Sequence, residues 1–306
     1  MMLFMNSWTR CVSLSLCIAS AHPAYAALIA HDGFDSYPIG QLEAGPIRDA
    51  GTVPYGGTGW RDPFDVDDDE KDHVVVADSK TTPLGYRNGA VSIDGGDRAL
   101  VLFGPRLSFG TLLKRDFPQP ARLAPVYFSF LYVARITTEP RDSDAFFLGL
   151  DSAVPFEQAR TTIGTDRLGS FRDGSYTFFA GVSSNGSDGT RSSNSDAIEL
   201  HETYFLAGRI SSFSGTNYDK VVLYVNPSTL TEPAQPDVQL GITPGSRNDN
   251  LSRLIINVPN LEPGDAFAID ELRIGSDYTS VVPEIGASLW LLCAGGFVIS
   301  CRIRSY

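Results

Sequence analysis

Short apolar runs recur through the middle of the chain, separated by polar interruptions. The run at 126–133, Val126-Tyr127-Phe128-Ser129-Phe130-Leu131-Tyr132-Val133, is dominated by β-branched and aromatic residues. Similar runs lie at 73–77, 99–103, 145–150, 176–182, 204–210, 220–225, 254–258 and 266–274. Gly, Pro, Asp, Asn or Ser bound most of them, which is the pattern of strands between turns. No stretch keeps a helical period over twelve residues. Recurring strands without intervening helices predict an all-β, antiparallel sandwich or barrel. The aromatics at 127, 128, 130 and 132 are expected in the core, on alternating faces of their strand. The segment 183–196, SSNGSDGTRSSNSD, reads as a polar loop. No internal repeat is visible.

The two ends have a different pattern. Arg10 precedes an apolar stretch at 11–21, and Ala24-Tyr25-Ala26 supplies the small residues that a signal peptidase accepts. Cleavage before Ala27 is expected, so residues 1–26 read as a signal peptide. Eleven apolar residues rise only about 17 Å as a helix, too short for the roughly 30 Å of a bilayer core. Leucine at 16, before Cys17, argues against a lipoprotein signal. At the other end, residues 285–301 are apolar and Arg302 and Arg304 follow. Seventeen residues span about 26 Å as a helix, enough for a transmembrane segment with Trp290 near one interface. Arginines on that side place the C-terminus in the cytoplasm. Both ends therefore predict the same topology, with the body exported across the cytoplasmic membrane.

All four cysteines, Cys11, Cys17, Cys293 and Cys301, lie in these end segments. The body from 27 to about 280 thus has no disulfide, thiolate nucleophile or cysteine metal site, and rests on its apolar core. The chain has 24 basic and 36 acidic residues; without Arg10, Arg302, Arg304 and Glu284 the body keeps 21 and 35. So acidic a body excludes nucleic acid as a partner, since phosphate neutralisation needs clustered Lys and Arg. It suits an extracellular surface, with or without divalent cations.

Val282-Pro283-Glu284, the apolar run and the basic end together resemble the PEP-CTERM sorting signal of exopolysaccharide-producing Gram-negative bacteria, with Ile285 in place of the usual second proline. The resemblance covers about 26 residues (281–306) and implies an exosortase-type protease as partner, cutting near Pro283-Glu284. The body carries a second resemblance. His31-Asp32-Gly33-Phe34-Asp35-Ser36-Tyr37-Pro38-Ile39-Gly40, Gly56-Gly57-Thr58-Gly59-Trp60, Phe205-Leu206-Ala207-Gly208-Arg209-Ile210, Asp219-Lys220-Val221-Val222-Leu223-Tyr224-Val225-Asn226-Pro227 and Ala268-Ile269-Asp270-Glu271-Leu272-Arg273-Ile274-Gly275 follow in the order of concanavalin A-like (laminin G-type) jelly-roll domains. This implies two curved antiparallel sheets over 27–280 with the terminal strands close together. It names no ligand, because that fold hosts lectins, hydrolases, lyases and adhesive modules alike.

Candidate chemistry is sparse. Asp65, Asp67 and Asp69 alternate as the first ligands of a calcium loop do, and a cation would relieve their repulsion. Glu70 and Val76 stand where an EF-hand needs glycine and glutamate, so an EF-hand is rejected and a solvated acidic turn is the alternative. Asp65-Val66-Asp67-Asp68-Asp69-Glu70 also approximates the Glu-x-Asp-x-x-Glu of jelly-roll glucanases, but its Asp run is a poor strand former. Glu199 with Glu202, and Asp270 with Glu271, do not complete that pattern. The body has only His31, His73 and His201 and no Gly-x-Ser-x-Gly elbow, which leaves no hydrolase triad or zinc site. Trp60, with Tyr55 in the same glycine-rich segment, is the candidate for stacking on a sugar ring; packing against a sheet end is the alternative. The expected function is an exported, non-enzymatic protein of the cell envelope or extracellular matrix with a structural or exopolysaccharide-binding role. A glycoside hydrolase or polysaccharide lyase on the same fold is the competing class, and a matrix filler without ligand is a third.

Overall fold

The computed structural model describes residues 27–37, 39–41, 57–62, 64–66, 74–78, 84–103, 111–136, 146–151, 161–167, 176–182, 190–193, 197–240, 250–258 and 264–283. In chain order the described strands are β1 (Leu28–Asp32), β2 (Gly40–Gln41), β3 (Asp65–Val66), β4 (Val74–Asp78), β5 (Gly85–Asn88), β6 (Val91–Asp94), β7 (Arg98–Phe103), β8 (Thr111–Asp116) and β9 (Val126–Arg135). Then follow β10 (Phe146–Asp151), β11 (Thr161–Arg167), β12 (Tyr176–Val182), β13 (Thr190–Ser193), β14 (Thr203–Ser211), β15 (Lys220–Val225), β16 (Val238–Leu240), β17 (Arg253–Val258) and β18 (Ala266–Gly275). A short helix, α1 (Tyr278–Val281), comes after them.

The strands form two antiparallel sheets and a hairpin. One sheet runs β16-β15-β14-β9-β18-β7-β4-β2, with β1 added along β18; the other runs β13-β12-β11-β10-β17-β8-β3; β5 and β6 pair with each other. The chain therefore crosses between these two sheets at β2 to β3, β3 to β4, β7 to β8, β8 to β9, β9 to β10, β13 to β14, β16 to β17 and β17 to β18. All nine strands expected from the apolar runs are present within a residue or two. The all-β antiparallel class is as expected.

Side-chain alternation builds the layer between the sheets. Phe128, Phe130 and Tyr132 of β9, Leu100 and Leu102 of β7, and Phe267 and Ile269 of β18 enter it from one side. Phe146, Leu148 and Leu150 of β10, and Leu254, Ile256 and Val258 of β17 meet them from the other. Tyr132 lies at the aromatic centre, 5.1 Å from Phe146, 5.9 Å from Phe178 and 5.8 Å from Phe267 between ring centroids. Tyr127 faces the other way, as the alternation at 127, 128, 130 and 132 requires.

The opposite face of the larger sheet is covered as well. Tyr127, Leu131, Val133, Phe205, Ala207, Val222, Tyr224, Ala266 and Ala268 pack there against Leu84, Val91 and Ile93 of the hairpin region and against Tyr278, Val281 and Val282. Coverage on both faces explains why every residue of β9 but its last is buried, and why that strand reads as an almost unbroken apolar run.

Two expectations are corrected. The segment 183–196 is not wholly a loop: Thr190–Ser193 pairs with β12. Its Ser and Thr residues give no apolar alternation, and only backbone pairing at the sheet edge identifies it. The packed body also runs past 280, since Val281 is 0% and Val282 1% exposed and the Val282 N–H bonds to the Tyr278 carbonyl. Among the described residues no helix is long and apolar enough to cross a membrane; the expected span at 285–301 lies outside them.

Candidate functional site

Trp60 sits where β1 meets the second sheet. Thr58 exchanges backbone hydrogen bonds with His31, at 2.9 and 2.8 Å. Gly59 has φ +79, and a Cβ there would strike the Ile29 carbonyl. The glycines thus let this segment press against β1, rather than serving to leave the indole open. Trp60 Nε1 donates to the His31 carbonyl at 3.1 Å, and the ring packs half-buried against Phe64 and Phe117. One ring face is occupied by Arg115, whose Cζ lies 4.6 Å from the indole centroid and 4.7 Å from that of Phe64. Tyr55, named with Trp60 for stacking, lies outside the described residues.

Arg115 is an inward-facing residue of β8, and sequence reading did not single it out. It forms a buried ion pair with Asp32 of β1. Its Nη1 also donates to the Tyr37 hydroxyl at 2.8 Å and its Nε to the Asp62 carbonyl at 2.9 Å. The Asp32 carboxylate further accepts from the Phe34 N–H at 2.9 Å and the Tyr37 hydroxyl at 2.7 Å. Burial, with the Asp32 charge behind it, pushes the Tyr37 phenol up, so it remains protonated and a donor. The group pins one sheet to the other.

Asp65 is exposed on β3, a two-residue edge strand, and its backbone partner across the ladder is Lys114. The Asp65 charge acts on Arg253, which also holds Asp116 at 2.6 and 3.2 Å. It therefore lies among cationic neighbours. Asp67 and Asp69, the other residues of the expected calcium loop, lie outside the described residues. Among the described residues no three His, Cys, Asp or Glu side chains gather to hold a metal. His31 forms a partly exposed pair with Glu271 at 3.0 Å, and Arg273 holds the same carboxylate at 2.6 Å. Burial would raise the Glu271 pKa, but the hydrogen bonds and charges of His31 and Arg273 outweigh it and hold the pKa low.

The outer face of the larger sheet carries a polar group that sequence reading missed. Tyr127 and Tyr224, on β9 and β15, donate to Glu232 at 3.1 and 2.5 Å. Arg209 of β14 pairs with the same carboxylate at 2.8 Å, and the two side chains remain 26% and 23% exposed. The Tyr278 ring of α1 stands edge-on to Tyr127 and Tyr224, with centroids 6.5 and 5.7 Å away. Burial raises the pKa of all three phenols, and the Glu232 charge adds to this. They therefore stay protonated, Tyr127 and Tyr224 as donors to Glu232. Arg209 Nε and the Tyr278 hydroxyl are buried without a hydrogen-bond partner among the described residues. Alternating parity would have placed residues 127, 209 and 224 on one face once the strand order was known; nothing in the sequence supplies that order.

The remaining predicted residues are at the ends. Ala24, Ala26, Glu284, Arg302 and Arg304 lie outside the described residues. Val282 is part of the packed body, and Pro283 is the last residue described. Ala27 donates its N–H to Ser276 Oγ and accepts from the Ser276 N–H, both at 3.1 Å. β1 pairs along β18 from Leu28 opposite Gly275, so the terminal strands lie side by side.

No protein-family model and no curated protein matches the chain. Among solved structures, it is similar to domain 4 of AbnA, an extracellular GH43 arabinanase from Geobacillus stearothermophilus, solved with arabinotriose. The identity is 16% and the TM-score 0.46, over 84% of this chain and 99% of that one. It is also similar to the CBM2 module of the evolved Dit protein of Lactobacillus casei BL23 phage J-1, at 10% identity and TM-score 0.39, over 81% and 94% of the two chains. A third similarity is to the heptameric SAP-like pentraxin of Limulus polyphemus, at 12% identity and TM-score 0.36, over 59% and 78%.

Proposed function

We propose that the protein is exported, processed at its C-terminal motif by an exosortase-type protease, and retained at the cell envelope or in the extracellular matrix. There its sandwich, of concanavalin A-like jelly-roll type, binds or scaffolds exopolysaccharide without catalysing a reaction. The observation that carries this reading is the adjacency of the expected processing sites. Ala27, where signal cleavage is expected, is hydrogen-bonded to Ser276, and Val282, beside the Pro283-Glu284 motif, is buried a few residues on. Both expected cuts thus fall next to the paired strands β1 and β18. On the outer face, Arg209 and Glu232 offer fixed, partly exposed hydrogen-bonding groups of the kind that orient sugar hydroxyls.

The test has two arms. In a host that makes exopolysaccharide, the native chain is expected in the matrix fraction, and Glu284→Ala is expected to leave it in the membrane fraction. Purified protein is then passed over acidic and neutral polysaccharides while released reducing ends are scored. Retention without release, weakened by Arg209→Met or Glu232→Gln, supports the reading. Release of sugars would make the protein a hydrolase or lyase and overturn it.

A further inference from the structure

The chain does not leave the sandwich at the end of β18. Ser276 and Asp277 bend it into α1, which lies on the outer face of the larger sheet. Asp277 caps the helix, its Oδ1 accepting the Ser280 N–H and the Thr279 hydroxyl, each at 2.9 Å. Ser129 Oγ of β9 donates to the buried Val281 carbonyl at 2.6 Å. The Val282 N–H closes on the Tyr278 carbonyl at 3.1 Å. Tyr278, Val281 and Val282 are all buried, and a Cβ on Gly275 would strike Ser280, so the piece is tightly seated.

These contacts run into the sorting motif itself. Val282 is the first residue of Val282-Pro283-Glu284, and only Pro283 and Glu284 separate it from the apolar run that starts at 285. Two extended residues reach about 7 Å at most. A protease draws the residues on either side of the bond it cuts into its cleft as extended chain. Backbone already committed to hydrogen bonds and burial resists this, which is why nicking concentrates at exposed loop tips. Here the residues just ahead of Pro283-Glu284 are helical or buried, with their backbone groups bonded.

Resting on the reading that this motif is processed, we infer that docking of α1 gates the cut. The docked body withholds Val281 and Val282 from the protease, and only the opened segment is cleaved. The opening is local, because α1 pairs with no strand and its release leaves both sheet ladders intact. Where opening and closing are fast against cleavage, the rate follows the open population. Loosening the docking therefore speeds processing, and after the cut Val281 and Val282 return to the outer face.

The test follows precursor and mature forms of the full chain by pulse-chase in a host that makes exopolysaccharide. Ser129→Ala removes the bond to the Val281 carbonyl from 152 residues away in sequence. Asp277→Ala removes the helix cap. Neither alters residues 282–284, and each is expected to speed conversion roughly three-fold or more, with hydrogen exchange of the Val282 N–H in the purified full chain quickening alongside. Gly208→Ala, which crowds Phe128 in the layer between the sheets, is the control for general destabilisation and should leave conversion unchanged. Unchanged conversion in both α1 variants, or equal acceleration by Gly208→Ala, would overturn the gate while leaving processing itself intact. A native chain that is never converted, or a Glu284→Ala chain converted as fast as native, would overturn the sorting reading and the gate with it.

Discussion

Replacing Arg115 by Met tests whether the buried ion pair holds the two sheets together. Methionine keeps most of the apolar volume between Trp60 and Phe64, so little cavity is created. What remains is the Asp32 carboxylate, which like Arg115 has a fully buried side chain, still hydrogen-bonded to Tyr37 and the Phe34 N–H but without its cation. Breaking a buried pair by removing one partner costs about 3–5 kcal/mol. The two stacked rings, at 4.6 and 4.7 Å, contribute roughly another 1 kcal/mol or more when desolvated. In a body of this size each kcal/mol moves Tm by about 2–4 °C, so a fall of roughly 10–20 °C is expected.

The informative comparison is with Asp32→Asn added to Arg115→Met. Asparagine keeps an acceptor for the Phe34 N–H and removes the stranded charge, and replacing a whole buried pair by neutral groups is often nearly neutral. The double variant should therefore recover a large part of the loss. Urea unfolding of the native, single and double variants measures this directly. If Arg115→Met costs under about 1 kcal/mol, or if the two substitutions simply add, charge pairing is not what pins the sheets.

Other consequences follow from the packing and the charges. A Cβ on Gly208 would strike the Phe128 ring and come within 2.7 Å of the Val222 carbonyl, so Gly208→Ala should cost about 1–3 kcal/mol by overpacking, read from urea midpoints. Ending the chain at Ser280 rather than Pro283 removes Val281 and Val282, both buried. That loss is worth roughly 3–6 kcal/mol at about 1.5–3 kcal/mol per buried aliphatic side chain, and comparative melts would show it. Because Glu271 has a lowered pKa in the fold, it adds stability above the ordinary carboxylate pKa, and that stability is lost as pH falls through the lowered value. Native protein and Glu271→Gln should thus differ most in Tm near neutral pH and converge in acid; a gap that persists at low pH would assign the effect to something other than ionisation.

The sequence made the central strands legible because their burial is written locally. β9, β10, β14, β17 and β18 each carry an unbroken apolar run of three to five residues, so no partner needs to be known to see them. β8 was missed for the opposite reason. In Thr111-Leu112-Leu113-Lys114-Arg115-Asp116, three charged residues in a row hide an inward-facing pair, Leu113 and Arg115, and Arg115 is buried only because Asp32 waits 83 residues earlier in the chain. The glycines beside Trp60 had two readings, accessibility or close backbone approach, and only the pairing of Thr58 with β1 decides between them.

Charge at long range separates the three acidic positions that matter in this fold. Asp32 meets a guanidinium from the facing sheet, and Glu232 meets one from β14 of the sheet it covers. Asp270 is as buried as Asp32, yet among the described residues its side chain accepts only the N–H of the next residue, and the charges of Glu271, Asp35 and Asp32 all oppose its ionisation. The bulge between Asp270 and Arg273 turns Glu271 out to His31 and Arg273 and leaves Asp270 inside. A fold that neutralises two buried or half-buried carboxylates with cations brought from other strands leaves the third to hold a proton, because burial and its acidic neighbours push the Asp270 pKa up to about 9.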